Sequence, residues 1–171
     1  FAKSCNTSFS RIGRDLNISA FRTLCEDFLF NKNLPVTMAS SQSRFELKEG
    51  SSGIKEKMQT AIGQGYTLIS PLHNLMIAGA VANSGVMMKP YVVDRIESYT
   101  GKMIKGYVPQ EYATPMTVTE ADLLKRLMRE VVTEGTADEL NSLKVPVAGK
   151  TGSAEQEGKP VGVPLEYDAT H

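Results

Sequence analysis

The feature that most constrains this chain is a nine-residue run near its end, VAGKTGSAE at positions 147–155. Apolar residues lead into a lysine, a threonine, a glycine and a serine in succession. Lys150 supplies a point charge and Thr151 a hydroxyl donor, and Gly152 has no Cβ, so another backbone or a ligand can approach closely. Ser153 then presents an N–H just past the glycine. The run therefore predicts an edge strand that holds an anion.

Several other short motifs precede this run in a defined order. Ser4-Cys5-Asn6 opens the chain in the form Ser-x-Asn, and Lys150-Thr151-Gly152 stands near its end. Lys-Thr-Gly is one of the boxes of penicillin-binding proteins and class A β-lactamases, beside Ser-x-x-Lys and Ser-Asp-Asn. Between the two boxes lie Ile62-Gly63-Gln64-Gly65-Tyr66-Thr67, Ser70-Pro71-Leu72, Ala82-Asn83-Ser84-Gly85, Lys89-Pro90 and Glu134-Gly135-Thr136-Ala137. Over nearly all of the chain, this order resembles the transpeptidase domain of high-molecular-mass penicillin-binding proteins.

The resemblance implies an α+β fold of the penicillin-binding-protein transpeptidase and serine β-lactamase type. In that family the central antiparallel sheet is built from strands before the nucleophile box and after Lys-Thr-Gly. We therefore expect residues 1–171 to form a partial transpeptidase domain, dominated by its helical part and with few strands. The Ser-x-x-Lys box is expected upstream of Phe1 in a longer protein, so these residues alone are expected to be inactive in acyl transfer.

The resemblance also implies a role in catalysis for three residues. Ser4 is expected to relay a proton to the leaving group. Asn6 is expected to hydrogen-bond the backbone amide of the substrate and to help orient the base lysine of the nucleophile box. Lys150 is expected near Ser4, where it keeps the site electropositive.

Three neighbouring residues are expected to bind the substrate. Thr151 would donate to the terminal carboxylate, and Gly152 would let the ligand approach. The Ser153 N–H would form one arm of the oxyanion hole, with its hydroxyl as a further carboxylate donor. The implied substrate is the D-Ala-D-Ala end of a peptidoglycan stem peptide, which β-lactam antibiotics mimic. No cofactor is implied, and the parent protein is expected at the extracytoplasmic face of the bacterial membrane, anchored in it.

Composition argues against several other classes of protein. Lysine plus arginine and aspartate plus glutamate both number 19, which argues against a nucleic-acid partner. The sequence contains no apolar run of about 18 residues that could span a membrane. Because there are only two histidines and two cysteines, we expect no metal site. Cys5 and Cys25 are expected to be buried free thiols.

Only one strand of the family's central sheet is expected within this chain. The exposed edge of that strand would favour self-association of the chain.

The sequence also offers a second Ser-x-x-Lys and several alternative functions for the same fold. Ser52-Gly53-Ile54-Lys55 fits the form Ser-x-x-Lys, but it follows the Ser-x-Asn box in a glycine-containing loop, whereas the family's nucleophile box precedes that motif and begins a helix. A class A β-lactamase would resemble its family in a Glu-x-x-Leu-Asn box, and here Ala137 stands at the glutamate position. A β-lactam-sensing domain or a non-catalytic binding module of the same fold remains open, and a Ser-x-x-Lys upstream of Phe1 would distinguish the module from an enzyme.

Apolar periodicity and capping residues predict the local structure. Helices are expected at about 7–16, from Ala20 (with Ser19 as N-cap) to about residue 31, from Pro71 (with Ser70 as N-cap), and from a Thr117 or Thr119 cap to about residue 134. The Pro71 helix is apolar on most faces, which predicts a buried central position. Short strands are expected at 86–88, 91–96 and 103–108, a short helix at 136–143, and loops at 35–57 and 155–171.

Overall fold

The computed structural model describes residues 1–153, 155–156 and 159–160. Five α-helices and a 3-10 helix account for most of the regular structure. The α-helices are α1 (Asn6–Asp15), α2 (Ile18–Asp27), α3 (Ile54–Ala61), α4 (Pro71–Ala82) and α5 (Val118–Thr133), and the 3-10 helix is Asp138–Ser142. The strands are β1 (Met87–Met88), β2 (Arg95–Glu97), β3 (Met103–Gly106), β4 (Glu111–Ala113), β5 (Glu155–Gln156) and β6 (Lys159–Pro160).

The strands form three antiparallel pairs. β1 pairs with β4, β2 with β3, and β5 with β6. Within the described residues no sheet has more than two strands. The expectation of a helix-rich α+β fold with few strands is confirmed. The predicted loop at 155–171 contains the antiparallel pair of β5 and β6, so the prediction is wrong for those four residues. Its other residues lie outside the described part of the chain.

Two helices begin where their capping residues predict. The Ser70 side chain accepts a hydrogen bond from the His73 N–H, and Pro71 takes the first helical position of α4, where its missing N–H costs nothing. For α5 the structure selects Thr117, whose side chain accepts from the Glu120 N–H. The Glu120 carboxylate accepts the Thr117 N–H in return, at 2.8 Å, which completes a capping box.

Several predicted boundaries are wrong. Asn17, not Ser19, caps α2, because its side-chain oxygen accepts the Ala20 N–H at 2.9 Å. The same helix ends at Asp27, and Leu29 with a φ of 71° takes the left-handed conformation that interrupts it. Likewise α3 begins at Ile54, inside the predicted loop, because the Glu56 carboxylate accepts the Gly53 N–H at 2.9 Å.

The main apolar core lies between α4, α5 and β1. Met76, Ala80, Met87 and Ala121 are buried in it. Leu75, on another face of α4, is 68% exposed, so the prediction of a helix buried on most faces is wrong for that face. A second, smaller cluster forms around the buried residues Cys25, Phe45 and Leu47.

The two cysteines differ in their surroundings. Cys25 is buried, as predicted, and desolvation raises the pKa of its thiol to about 11. Cys5 is exposed, so its predicted burial is wrong: it precedes α1 at the surface, where the Ser8 hydroxyl donates to its sulfur. Both thiols are free. No helix within the described residues is both long and apolar enough to cross a membrane.

Candidate active site

One open cavity of about 670 Å³ lies where the start of the chain meets the 150–153 segment. All six residues that the sequence singles out line it: Ser4, Asn6, Lys150, Thr151, Gly152 and Ser153. The remaining lining residues are Phe1, Phe9, Ala61, Ile62, Gly63 and Thr136. Two parts of the chain that are about 145 positions apart therefore form a single site.

A hydrogen bond across the cavity joins Ser4 to Lys150. The Lys150 ammonium donates to the Ser4 hydroxyl at 2.7 Å and to the Thr151 carbonyl oxygen at 2.8 Å. Ser4 has a φ of 49°, a left-handed conformation that is uncommon for a residue with a Cβ. The Ser4 N–H donates to the Phe1 carbonyl oxygen at 3.0 Å and closes the turn that holds this conformation.

The segment that leads to Lys150 is attached to α5. The Gly149 N–H donates to the Met128 carbonyl oxygen at 3.1 Å, and the Arg129 guanidinium donates to the Val147 carbonyl oxygen at 2.8 Å. Residues 146–153 belong to no helix or strand, so the predicted edge strand is wrong. A strand requires a hydrogen-bonded neighbouring strand, whereas the backbone here pairs with helix-end and side-chain groups.

The end of α5 also holds the other wall of the cavity. The Thr136 N–H donates to the Ala2 carbonyl oxygen at 3.2 Å. A Cβ at Gly135 would collide with the carbonyl oxygens of both Ala2 and Val131, so this approach requires a glycine. The two walls of the site are therefore positioned by the same stretch of chain, residues 128–136.

The substrate-binding candidates lie side by side in this cavity. The Thr151 hydroxyl is 2.5 Å from the hydroxyl of Thr136. Nothing lies within 4 Å of the position that a Cβ on Gly152 would take, so a ligand can approach the backbone there. Ser153 and Asn6 are exposed, and Asn6 is the first residue of α1.

The electrostatics of the cavity favour an anion. Partial burial lowers the pKa of Lys150 from its ordinary value. The Lys150 ammonium lies 5.7 Å from the centroid of the Phe1 ring. Within the described part of the chain, no carboxylate lines the cavity. The charge of Lys150 is therefore uncompensated and available to a ligand carboxylate or to a developing oxyanion.

Sequence reasoning missed part of this lining. Phe1 and Phe9 pack edge to face, with ring centroids 6.2 Å apart, and no pattern in the sequence brings them to the site. Thr136 and Gly63 belong to motifs that carry the family resemblance, but the motifs alone indicate no role for either residue. The motifs themselves were the available signal, and only the fold shows that these residues line the cavity.

Comparison with known proteins gives a consistent result at the level of sequence. The model of the penicillin binding protein transpeptidase domain matches residues 1–168. The peptidoglycan D,D-transpeptidase PbpA of Mycolicibacterium smegmatis is 27% identical over 168 residues, which is 96% of this chain and 33% of that protein. The chain thus spans about a third of the length of this relative.

Solved structures agree. The D,D-transpeptidase domain of a peptidoglycan glycosyltransferase from Eggerthella lenta superposes with a TM-score of 0.82 at 26% identity, over 93% of this chain and 42% of that one. The imipenem acyl-enzyme complex of penicillin-binding protein A from Mycobacterium tuberculosis superposes with a TM-score of 0.79 at 26% identity, over 90% of this chain and 35% of that one. These matches confirm the fold that the motifs imply. The chain belongs to the family of penicillin-binding-protein transpeptidase domains.

Proposed function

We propose that this chain provides the Ser-x-Asn and Lys-Thr-Gly walls of a serine D,D-transpeptidase site that cross-links peptidoglycan. The observation that carries the proposal is the 2.7 Å hydrogen bond between Lys150 and Ser4 inside a cavity that contains all six candidate residues. The relatives support it, because PbpA of Mycolicibacterium smegmatis is named a peptidoglycan D,D-transpeptidase. The substrate in this proposal is the D-Ala-D-Ala end of a stem peptide, and β-lactams acylate the same site.

In this proposal the residues of the site share the steps of acyl transfer. The nucleophilic serine gives its hydroxyl proton to the base lysine of its box as its oxygen attacks the penultimate D-Ala carbonyl, and the bond from this carbon to the nitrogen of the terminal D-Ala breaks. Ser4 passes its proton to that nitrogen and regains one from the Lys150 ammonium, 2.7 Å away. The lowered pKa of Lys150 favours this donation.

Four residues of the cavity are proposed to bind the substrate. The Ser153 N–H stabilises the oxyanion as the carbonyl carbon becomes tetrahedral. Thr151 and the Ser153 hydroxyl donate to the terminal carboxylate, and Asn6 donates to the peptide backbone of the substrate. Gly152 leaves the space that the substrate backbone requires.

The nucleophile of this proposal lies outside residues 1–153. No Ser-x-x-Lys lines the cavity among the described residues. Ser52-Gly53-Ile54-Lys55 lies elsewhere: Ser52 lines a separate small pocket, and its hydroxyl accepts the Lys48 N–H at 2.8 Å. We therefore propose that the transpeptidase acts as part of a longer, membrane-anchored protein at the extracytoplasmic face of the bacterial membrane, and that the 171 residues alone are inactive.

A non-catalytic binding module of the same fold is the second candidate function. The described lining of the cavity contains carboxylate-binding groups and no Ser-x-x-Lys, which is what a binding module requires as well. The two candidates share the cavity and the carboxylate-binding groups. They differ in whether a covalent adduct forms with a β-lactam.

Labelling with fluorescent penicillin tests the proposal. The 171-residue chain and the full-length protein are incubated side by side, and any adduct is located by peptide mapping. We expect the full-length protein to label at a serine outside residues 1–153 and the chain to remain unlabelled. Labelling of neither protein would support the binding module, and labelling of the chain would identify Ser52 as the first residue to examine.

Self-association of the chain is a separate proposal. Every residue of β2 and β3 is exposed, and each of these strands has one edge without a partner strand among the described residues. Such edges can pair with a second copy. Light scattering after size-exclusion chromatography should show a mass that rises with concentration, and a constant monomer mass would contradict the proposal.

A further inference from the structure

Thr136 lies where the two walls of the cavity meet. Its backbone N–H donates to the Ala2 carbonyl oxygen at 3.2 Å, two residues before Ser4. Its hydroxyl oxygen lies 2.5 Å from that of Thr151, and its side chain lines the cavity. The backbone of Thr136 therefore contacts the segment that carries Ser4, and its side chain contacts the segment that carries Lys150.

The backbone of Thr136 and its hydroxyl make separable contributions. The hydrogen bond to the Ala2 carbonyl needs only the backbone N–H of Thr136 and a glycine at position 135. The Thr136 side chain is exposed, so it contributes little to the apolar core. Its hydroxyl is then left with one identified partner among the described residues, the hydroxyl of Thr151.

The chemistry of this pair depends on which hydroxyl donates. Each threonine hydroxyl carries one proton and can accept two hydrogen bonds. If Thr151 donated to Thr136, the Thr151 oxygen would present only lone pairs to the cavity and would repel a carboxylate. If Thr136 donates, the Thr151 proton is free for the ligand. A carboxylate that accepts this proton also polarises the pair, so the two hydrogen bonds strengthen each other.

We propose that Thr136 is a positioning residue: it donates its hydroxyl proton to Thr151 and thereby directs the Thr151 proton into the cavity, toward a ligand carboxylate. The identity of that carboxylate as the end of a D-alanyl peptide rests on the proposed function. The assignment makes Thr136 selective for ligands with a free carboxylate, since a neutral amide or ester cannot polarise the pair to the same extent.

The test compares an acid and an amide in matched variants of the 171-residue chain. N-acetyl-D-alanine and N-acetyl-D-alaninamide are titrated against the wild type, Thr136→Val and Thr136→Ser, and binding is followed by NMR at the amides of residues 150–153. Valine has the shape of threonine without the hydroxyl, and it keeps the backbone bond to Ala2. We expect Thr136→Val to weaken binding of the acid about fivefold, as the loss of one hydrogen bond predicts. We expect no change for the amide, and serine to restore wild-type affinity.

Three results would overturn the assignment. They are an equal loss for acid and amide in Thr136→Val, unchanged acid binding in that variant, and a wild-type chain that does not prefer the acid. The ratio of the two affinities, for the acid and for the amide, is measured for each protein. A general loss of structure would weaken both ligands alike, so it does not imitate the expected result. The measurement needs no acylation, so a failure of penicillin labelling would refute the proposed enzyme without deciding the role of Thr136.

Discussion

The Ser4 hydroxyl and the Lys150 ammonium lie 2.7 Å apart although 146 positions separate them along the chain. A lysine beside a serine can return a proton that the serine gives to a leaving group. Partial burial of Lys150 lowers its pKa, and a lower pKa makes the ammonium a stronger acid. At the scale of single residues, this pair is the part of the site most directly suited to proton transfer.

We predict that Lys150→Met slows acylation of the full-length protein by fluorescent penicillin about a hundredfold or more, the range expected for loss of a proton-transfer group. Methionine is unbranched, as lysine is, but has no charge or proton to donate. The second-order rate of acylation, followed by stopped-flow fluorescence, measures the effect.

Lys144→Met is the matched control for this variant. Lys144 is exposed and does not line the cavity, so its loss should leave the acylation rate unchanged. A rate in Lys150→Met within a few fold of the wild type would exclude Lys150 from proton transfer. An equal fall in both variants would indicate a general effect of removing positive charge.

Residue types and motif order predicted which side chains the structure brings together, although their roles remain predictions. The six candidates carry the family resemblance, and they line one cavity. Thr136 could not be assigned in this way, because its contact with Thr151 depends on how the end of α5 and the 150–153 segment meet in three dimensions. The edge-to-face pair of Phe1 and Phe9 was unpredictable for the same reason.

At the scale of elements, local capping decided which sequence predictions succeeded. Ser70 and Thr117 each precede a long apolar pattern, so both helices were predictable. The start of α4 was predicted at Ser70, whereas for α5 the sequence left Thr117 and Thr119 open. The start of α3 was missed because Gly53 has no side chain to signal a cap, and Glu56 closes the turn from inside the helix. The strand predicted at Lys150 failed because a strand also needs a partner, which the segment itself does not specify.

The contact between α1 and α3 gives an element-scale prediction. A Cβ on Gly13 would collide with the Ala61 Cβ and lie 2.9 Å from the Lys57 carbonyl oxygen. Overpacking usually costs about 1–3 kcal/mol, and the gain in helix propensity offsets about 1 kcal/mol of that cost. Because the added Cβ meets both a Cβ and a backbone oxygen, we predict that Gly13→Ala destabilises the chain by a net amount of up to about 2 kcal/mol. Urea unfolding followed by circular dichroism measures the difference.

Gly79→Ala is the matched control in α4. Gly79 is exposed, and nothing lies within 4 Å of the position its Cβ would take. The same substitution should therefore stabilise the chain there, by about 0.5–1 kcal/mol from helix propensity. If both variants shifted stability in the same direction, close packing of α1 against α3 would not be what requires a glycine at position 13.

At the scale of the whole molecule, α5 connects the core to the site. Its buried residues Ala121, Val131 and Val132 pack inward. Residues 128–136, at its end, hold the two segments that carry Lys150 and Ser4. Loss of the core packing around α5 should therefore disturb both walls of the cavity together, and the geometry of the site depends on the stability of the whole fold.

One buried side chain links that stability to pH. His73, in α4, is fully buried, and its Nε2–H donates to the Phe28 carbonyl oxygen at 2.5 Å. Its Nδ1 is buried without a hydrogen-bond partner among the described residues. A second proton on Nδ1 would therefore be a donor with nothing to accept it. Desolvation accordingly lowers the pKa of His73 below its ordinary value.

We predict that protonation of His73 contributes to unfolding of the chain by acid. Because the folded pKa is lowered, the unfolded state binds the proton first. Stability is then fully present above the unfolded pKa of about 6.5, and it falls at lower pH by at most about 1.4 kcal/mol per pH unit until the folded pKa is reached.

His73→Gln keeps a donor for the Phe28 carbonyl and does not titrate. Urea unfolding between pH 5 and pH 7.5 should give a smaller loss of stability in this variant than in the wild type, whatever its stability at neutral pH. Parallel curves for the two proteins would show that His73 is not the group that couples the core to pH.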